Sequence, residues 1–144
     1  MNQWAGGLIV TNDGRLVLQQ REDKPGITLP GKVAMFGGTV EPNETVEKAA
    51  ERELLEELNL KVNGWQLEKL GVYQKTKELD GEDYEIHVFL VRDVDPKGLE
   101  LREGKAIRYV SRGENLDEIE LTRITRLAIE DYYKRGDIEG RSGS

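Results

Sequence analysis

The sequence predicts a single domain of mixed α and β structure, an α/β (α+β) fold built on a mixed β-sheet. The chain has 144 residues, the usual size of one domain. Short apolar runs bounded by turn residues predict strands, which interleave with two helices without strict strand–helix–strand alternation. We expect the domain to span residues 1–138, and the small, polar segment 139–144 to be a disordered tail or a remnant of cloning.

The first half of the chain predicts a hairpin, a loop, a short strand and a helix, in that order. "GGLIV" and "RLVLQQR" flank "TNDG", whose Asn, Asp and Gly favour a tight turn. "EDKPGITLPGK" contains several turn residues and predicts a loop, and "VAMFGG" predicts a short strand. The acidic helix that follows can be capped by Asn43 or Thr45.

The second half predicts a long hairpin, one more strand and a closing helix. The β-rich runs "GWQLEKLGVYQKTKEL" and "YEIHVFLVRDV" flank Asp80-Gly81, a pair that favours an antiparallel hairpin. "AIRYVS" predicts a short strand. "LTRITRLAIEDYYKRG" has helical spacing of its apolar residues, and Gly136 predicts where that helix stops.

Composition excludes several classes of function. The net charge is −7 and the pI is near 4.9, so we expect no duplex nucleic acid partner, because phosphate contacts need clustered Lys and Arg. The chain has no cysteine, which excludes disulfides, thiolate zinc sites and cysteine nucleophiles. No basic leader segment and no long apolar run is present, so we expect no membrane partner and a cytoplasmic location.

Three glutamates crowd one face of the acidic helix. On a helical wheel Glu53, Glu56 and Glu57 span about 100°. They lie beside an apolar stripe that must face the sheet, formed by Val46, Ala50, Leu54 and Leu58. Arg52 can pair with Glu56, which leaves Glu53 and Glu57 without an obvious local cation. The helix is therefore either a solvated, charge-laced face or a site for a hard cation such as Mg²⁺.

The order of the residues favours the cation site. The stretch runs Gly38, five residues, Glu44, seven residues, Arg52-Glu53-Leu54, one residue, Glu56-Glu57, one residue, Asn59-Leu60. This order resembles the signature of the Nudix hydrolase family and differs from it only at Asn59, where the family has glycine. That glycine ends the helix in a left-handed conformation, for which Asn is the next best residue. The flanking strands and the closing helix extend the resemblance over nearly the whole chain.

The resemblance implies a fold and an activity. The expected fold is an α/β/α sandwich with a mixed sheet, in which the signature forms a loop–helix–loop. The expected activity is Mg²⁺-dependent attack of water on a nucleoside diphosphate-linked small molecule, and Mn²⁺ can substitute. We expect a nucleoside tri- or diphosphate, an oxidised one included, as substrate. A nucleoside diphosphate sugar or ADP-ribose is the first alternative, and a non-catalytic nucleotide-binding module is the second. The resemblance also leaves a homodimer open.

The resemblance also assigns roles within the signature. Glu53, Glu56 and Glu57 would bind metal together with a backbone carbonyl of Gly37 or Gly38. Arg52 would orient the glutamates through a forked hydrogen bond, with Glu44 as its structural partner. Glu53 or Glu56 would act as the base for water, and Glu103, on a late loop, is a further candidate.

Outside the signature, each candidate has a structural alternative. Arg21, at a strand end, is either a phosphate contact or a surface residue. Phe36 is either a core residue or a stacking surface for a base. Trp4 is either a nucleobase platform or a packing residue. His87, the single histidine, is predicted to be an ordinary sheet residue.

Overall fold

The computed structural model describes residues 2–23, 25–26 and 31–143, with side chains up to residue 136. Within this part, seven strands form one sheet: β1 Gln3–Thr11, β2 Leu16–Gln20, β3 Val33–Ala34, β4 Phe36–Thr39, β5 Glu68–Lys75, β6 Tyr84–Val94 and β7 Ala106–Val110. The helices are α1 Val46–Leu58, α2 Lys77–Asp80 and α3 Arg123–Gly143. Short 3₁₀ turns occur at Gly64–Gln66, Pro96–Gly98 and Leu116–Glu118.

The sheet contains parallel and antiparallel pairs, and two strands, β2 and β4, both pair with the central strand β1. The strand order is β3-β2-β1-β6-β5, with β7 also paired to β2 and β4 also paired to β1. The β1–β6 pair is parallel and the other pairs are antiparallel. Strand β1 pairs with β4 through residues 4–7 and with β2 through residues 9–10, so β2 and β4 diverge on the same side of β1.

Helices cover both faces of this sheet, as the expected sandwich requires. On one face α3 packs on strand residues such as Leu8, Leu18 and Val88, using Ile124, Ala128 and Ile129. On the other face Leu54 and Leu58 of α1 pack on Ile9, Val17, Phe36 and Val91. Among the described residues no helix is both long enough and apolar enough to cross a membrane.

Most predicted elements are confirmed, and the departures are local. The β1–β2 turn places Gly14 at φ 87°, and β5 pairs with β6 as an antiparallel hairpin. That hairpin is joined by α2 rather than by a tight turn, and Gly64–Gln66 forms a 3₁₀ turn instead of strand. "VAMFGG" forms two short strands, β3 and β4. Residues 24 and 27–30 of the predicted loop lie outside the described residues.

The predicted stop at Gly136 is wrong, because the backbone of α3 continues to Gly143. A helical interior tolerates a single glycine at a cost of about 1 kcal/mol relative to alanine. The domain boundary at residue 138 stays a prediction.

Candidate active site

Helix α1 is fixed at both ends by the residues that its sequence supplies. Thr45 is the N-cap, and its hydroxyl accepts a hydrogen bond from the Lys48 N–H at 3.1 Å. Asn59 ends the helix at φ 54° and ψ 29°, which confirms the left-handed conformation expected where the signature has glycine. Between them Leu54 and Leu58 are fully buried, so the glutamates on the adjoining face meet the edge of the sheet.

Arg52 joins the helix to the preceding loop. Its Nε and Nη2 donate to Glu44 Oε2 and Oε1 at 2.8 and 3.0 Å, forming a fork, and Nη2 also donates to the Thr39 carbonyl at 3.1 Å. The Arg52 hydrogen bonds and a backbone N–H from Glu41 lower the pKa of Glu44 to about 2. Glu44 therefore stays ionised and holds the guanidinium in one orientation.

The guanidinium also reaches the first of the crowded glutamates. Arg52 Nη1 donates to Glu53 Oε1 at 2.8 Å and lies 3.4 Å from Glu56 Oε2. The expectation that Glu53 has no local cation is therefore wrong. Burial raises the pKa of Glu53, and the hydrogen bond from Arg52 opposes that rise. Gly38 faces the same carboxylate, since a Cβ at this position would lie 2.4 Å from Glu53 Oε1.

Glu57 is the most unusual carboxylate of the described residues. It is only 3 % exposed, and its Oε1 has no hydrogen-bond partner. Burial, followed by the charges of Glu103 and Glu53, raises its pKa to about 9, while a backbone hydrogen bond from Gly37 acts in the opposite direction. A buried carboxylate oxygen without a partner costs free energy, which a bound cation would recover.

Glu56 and Glu103 are more exposed members of the acidic group. The Glu56 side chain is 58 % exposed and contacts Arg52. Glu103 lies on the loop before β7, and its charge acts on both Glu53 and Glu57. Its carbonyl accepts a hydrogen bond from Gln19 Nε2 at 3.2 Å, which ties the loop to β2. The structure thus brings this late loop to the acidic helix.

A cleft of about 220 Å³ opens where β2 and β4 diverge. Its lining combines apolar, hydroxyl and charged side chains: Trp4, Gln19, Arg21, Ala34, Met35, Gly37, Thr39, Glu57, Lys75, Glu82, Tyr84, Ile86, Glu103, Thr122, Ile124 and Thr125. Glu57 and Glu103 place the acidic helix and its late loop in the wall of this cleft. A concave site with a few converging charged groups is a typical small-molecule site.

The substrate-binding candidates separate into two groups. Trp4 and Arg21 line the cleft, and the indole of Trp4 lies close against Gly37, where a Cβ would meet its ring at 2.5 Å. Phe36 is 0 % exposed and packs among core residues between the sheet and α1. Its ring has no face open to a base, so the assignment of Phe36 as a substrate contact is wrong and the core interpretation holds.

Other cleft residues were not predicted from the sequence. Gln19, Lys75 and Thr125 line the cleft from segments with no recognisable motif, and Glu82 lines it from the predicted turn that begins at Asp80-Gly81. Their convergence depends on tertiary packing, and no local pattern indicates it. His87, as predicted, lies within β6, where its Nε2 is 2.6 Å from Glu85 Oε1 and outside the cleft.

The chemistry of the acidic group fits a hard divalent cation. Glu53, Glu56, Glu57 and Glu103 supply carboxylate oxygens, the ligands that Mg²⁺ and Mn²⁺ prefer, and Glu57 Oε1 is buried without a partner. No three acidic or histidine side chains of the described residues already converge on one point at ligand distance. A cation would therefore draw these carboxylates together, which would also offset the burial cost at Glu57.

With the geometry established, comparison with known proteins identifies the family. The chain belongs to the NUDIX domain family, whose model matches residues 1–132. Among curated proteins, the nucleoside triphosphatase NudI of Escherichia coli O1:K1 is 44% identical over 50 residues, which cover 35% of this chain and 35% of that protein. The match thus spans about a third of the length of the curated relatives.

Solved structures extend the similarity over nearly the whole chain. The MutT NUDIX hydrolase from Burkholderia pseudomallei is 28% identical with a TM-score of 0.73, covering 90% of this chain and 96% of that one. A bifunctional NMN adenylyltransferase/ADP ribose pyrophosphatase from Francisella tularensis, complexed with AMP and a Mn ion, is 25% identical with a TM-score of 0.72. It covers 93% of this chain and 41% of that one.

Proposed function

We propose that this chain is a Mg²⁺-dependent pyrophosphohydrolase of small nucleotides, with nucleoside tri- or diphosphates as the preferred substrates. The observation that carries this proposal is the buried carboxylate of Glu57, whose Oε1 has no hydrogen-bond partner, in the wall of a cleft that also contains Arg21 and Glu103. A buried carboxylate oxygen without a hydrogen-bond partner suits a bound cation. A multiply anionic phosphate chain also needs a cation beside it, because the neighbouring acidic side chains would otherwise repel it.

Each charged residue has a task in this mechanism. Glu53, Glu56 and Glu57 would hold the metal, which neutralises phosphate charge and lowers the pKa of water when bound. Arg52, held by Glu44, fixes the carboxylate of Glu53. Arg21, which lines the cleft, would contact phosphate oxygens. Trp4 gives the nucleoside an aromatic surface.

The proposed bond changes are those of anhydride hydrolysis. The oxygen of a water molecule attacks phosphorus, and the bridging P–O bond breaks with its electron pair on the leaving phosphate. A water proton passes to a carboxylate. Glu53 is our choice as acceptor, because burial raises its pKa and Arg52 occupies only its Oε1. Glu103 is the alternative acceptor, since it is exposed beside the same site.

The relatives support the substrate class without defining one substrate. NudI is named a nucleoside triphosphatase, which favours triphosphates. The Francisella protein is named an ADP ribose pyrophosphatase, so ADP-ribose is the second candidate. A non-catalytic module is disfavoured, because such a module gains nothing from keeping Arg52 and all three glutamates of the signature.

The test is phosphate and pyrophosphate release from a nucleotide panel with Mg²⁺ or Mn²⁺. The panel contains canonical and oxidised triphosphates, diphosphates, ADP-ribose and nucleotide sugars. We expect turnover of one class to fall at least about 10²-fold in Glu53→Gln and in Glu57→Gln. Glu47→Gln, an exposed acid in the first turn of the same helix, is the matched control and should keep full turnover. Turnover that survives both site substitutions, or that is absent with every nucleotide, would overturn the proposal.

A further inference from the structure

The cleft contains a second charged group, contributed by β5 and the β5–β6 connection. Lys75, the last residue of β5, places its Nζ 3.2 Å from Glu82 Oε1, and both side chains line the cleft. The Lys75 side chain is 17% exposed and that of Glu82 is 36% exposed, so the pair is partly shielded from water. The mechanism above uses neither residue.

A second ion pair holds this group in place. Arg123, at the start of α3, donates to both oxygens of Asp80 at 2.7 and 3.1 Å, and to the carbonyl of Gln74 at 2.9 Å. Asp80 also accepts the Thr76 N–H at 2.9 Å. Hydrogen bonds from Arg123 chiefly lower the pKa of Asp80, and the charge of Lys75 contributes. The connection that carries Lys75 and Glu82 is therefore anchored to α3.

Two ion pairs are formed here. Lys75 lies within hydrogen-bond distance of Glu82, and Arg123 lies within hydrogen-bond distance of Asp80. Arg21, which follows β2, lines the same cleft. Glu57 and Glu103 line the cleft from α1 and from the loop before β7, whereas Lys75 and Glu82 line it from β5 and the β5–β6 connection. With its phosphates beside the first pair, a nucleotide would turn its other end towards the second.

We propose that the Lys75–Glu82 pair determines specificity by selecting substrates whose end opposite the phosphate chain is polar but uncharged. This inference rests on the proposed function and narrows its substrate class to nucleotides without a second phosphate group at that end. The ammonium of Lys75 donates to, and the carboxylate of Glu82 accepts from, hydroxyl, carbonyl or amino groups of a nucleoside. A second phosphate would approach Lys75 only by also approaching Glu82.

Removal of one charge should reverse this preference. In Glu82→Gln the ammonium of Lys75 stays in the cleft wall without its nearest carboxylate, in a site where water screens charges less than at a free surface. The variant should therefore gain affinity for an extra phosphate. In Lys75→Met the carboxylate of Glu82 remains alone, and an extra phosphate should bind more weakly than in the wild type.

The experiment measures binding of two probes, a nucleoside 5′-monophosphate and the corresponding nucleoside 3′,5′-bisphosphate, by calorimetry in Mg²⁺. The quantity compared is the ratio of the affinity for the bisphosphate to the affinity for the monophosphate. We expect this ratio to be about tenfold higher in Glu82→Gln than in the wild type. Lys75→Met should shift the ratio in the opposite direction. Glu68→Gln is the matched control, because it removes a carboxylate that pairs with Arg92 at the other end of the same strand, outside the cleft.

The outcomes separate the two proposals. A ratio that is unchanged in both cleft variants, or that changes equally in Glu68→Gln, overturns the specificity inference while leaving hydrolysis by the wild type intact. A wild type that neither binds the probes nor hydrolyses any nucleotide overturns the proposed function and this inference with it. Opposite shifts in Glu82→Gln and Lys75→Met support the inference, and a misfolded protein would not produce them.

Discussion

The carboxylate of Glu53 occupies the space that any side chain at Gly38 would need. A Cβ at position 38 would lie 2.4 Å from both Cδ and Oε1 of Glu53, well inside the contact distance of real side chains. Glu53 is also held by Arg52 at 2.8 Å, so it cannot move away without breaking that bond. Gly38 therefore brings strand β4 against the acidic helix, and its role is steric.

Gly38→Ala should impair activity far more than stability. The new methyl group displaces the Glu53 carboxylate, and misplacement of a reacting group by about 1 Å can cost about 10²-fold in rate. Steady-state kinetics with the substrate found in the panel would measure this loss, and thermal melting would confirm that the variant folds. Gly64→Ala is the control, because a Cβ there meets nothing within 4 Å. Full activity in Gly38→Ala would contradict the steric role.

Arg52→Lys should release the carboxylates that Arg52 orients. Lysine cannot form the fork to Glu44, because its ammonium is a single point of contact. We expect turnover to fall about tenfold or more, and the pKa of Glu44 to rise from about 2 towards its ordinary value. Carbon-detected NMR titration of the glutamate carboxylates measures that pKa directly.

Arg15→Lys provides the matched control for this substitution. Arg15 Nε donates to both oxygens of the exposed Asp13 at 3.0 and 3.1 Å, on the turn between β1 and β2. It therefore also loses an arginine–carboxylate contact, but away from the acidic helix. Equal losses of turnover in both variants would show that Arg52 has no special positioning role.

The sequence predicts the part of the site that lies on one helix. The fixed spacing of an α-helix places Glu53, Glu56 and Glu57 on one face beside a buried stripe, and the structure confirms the stripe at Leu54 and Leu58. Periodicity does not show which of the glutamates is buried. Which glutamate is buried depends on how α1 is oriented against β4 and on where the loop that carries Glu103 lies. Both are tertiary relationships.

Contacts between neighbours in sequence were also difficult to predict. Arg52 and Glu53 are adjacent on the helix and do not face each other by simple wheel geometry. The long guanidinium nevertheless reaches back to Glu53, because Glu44 and the Thr39 carbonyl hold it at the helix edge. Lys75 and Glu82 were missed for a related reason. Their place in the cleft follows from the anchoring of the β5–β6 connection by Arg123.

Asn59 offers a test of stability separate from the chemistry. Its φ of 54° lies in the left-handed region, which costs most L-residues about 1–2 kcal/mol. Asn59→Ala should therefore lower the free energy of unfolding by about 1 kcal/mol, whereas Asn59→Gly should preserve it or raise it slightly. Urea unfolding of the three proteins measures the difference. An Ala variant as stable as the Gly variant would contradict the assigned conformation.

Glu57 predicts how stability depends on pH when metal is removed. Its pKa is about 9 in the folded chain and near 4.5 when unperturbed, so between these values the folded protein keeps a proton that the unfolded chain releases. The free energy of unfolding must then fall as pH rises through that range. Glu57→Gln has no such proton. In chelator it should become more stable than the wild type as pH rises, by on the order of 2–3 kcal/mol near neutrality.

Urea unfolding at about pH 5 and pH 7.5, each with chelator and with Mg²⁺, measures this effect. We expect the two proteins to be close at the lower pH and to separate at the higher pH. Mg²⁺ should raise the stability of the wild type at the higher pH, because a cation bound only to the folded state stabilises it, and should raise that of Glu57→Gln much less. Glu47→Gln, whose side chain is exposed, should follow the wild type throughout. A constant difference between wild type and Glu57→Gln at both pH values would mean that the buried carboxylate is already ionised, and that its partner in solution is something other than a proton or the added metal.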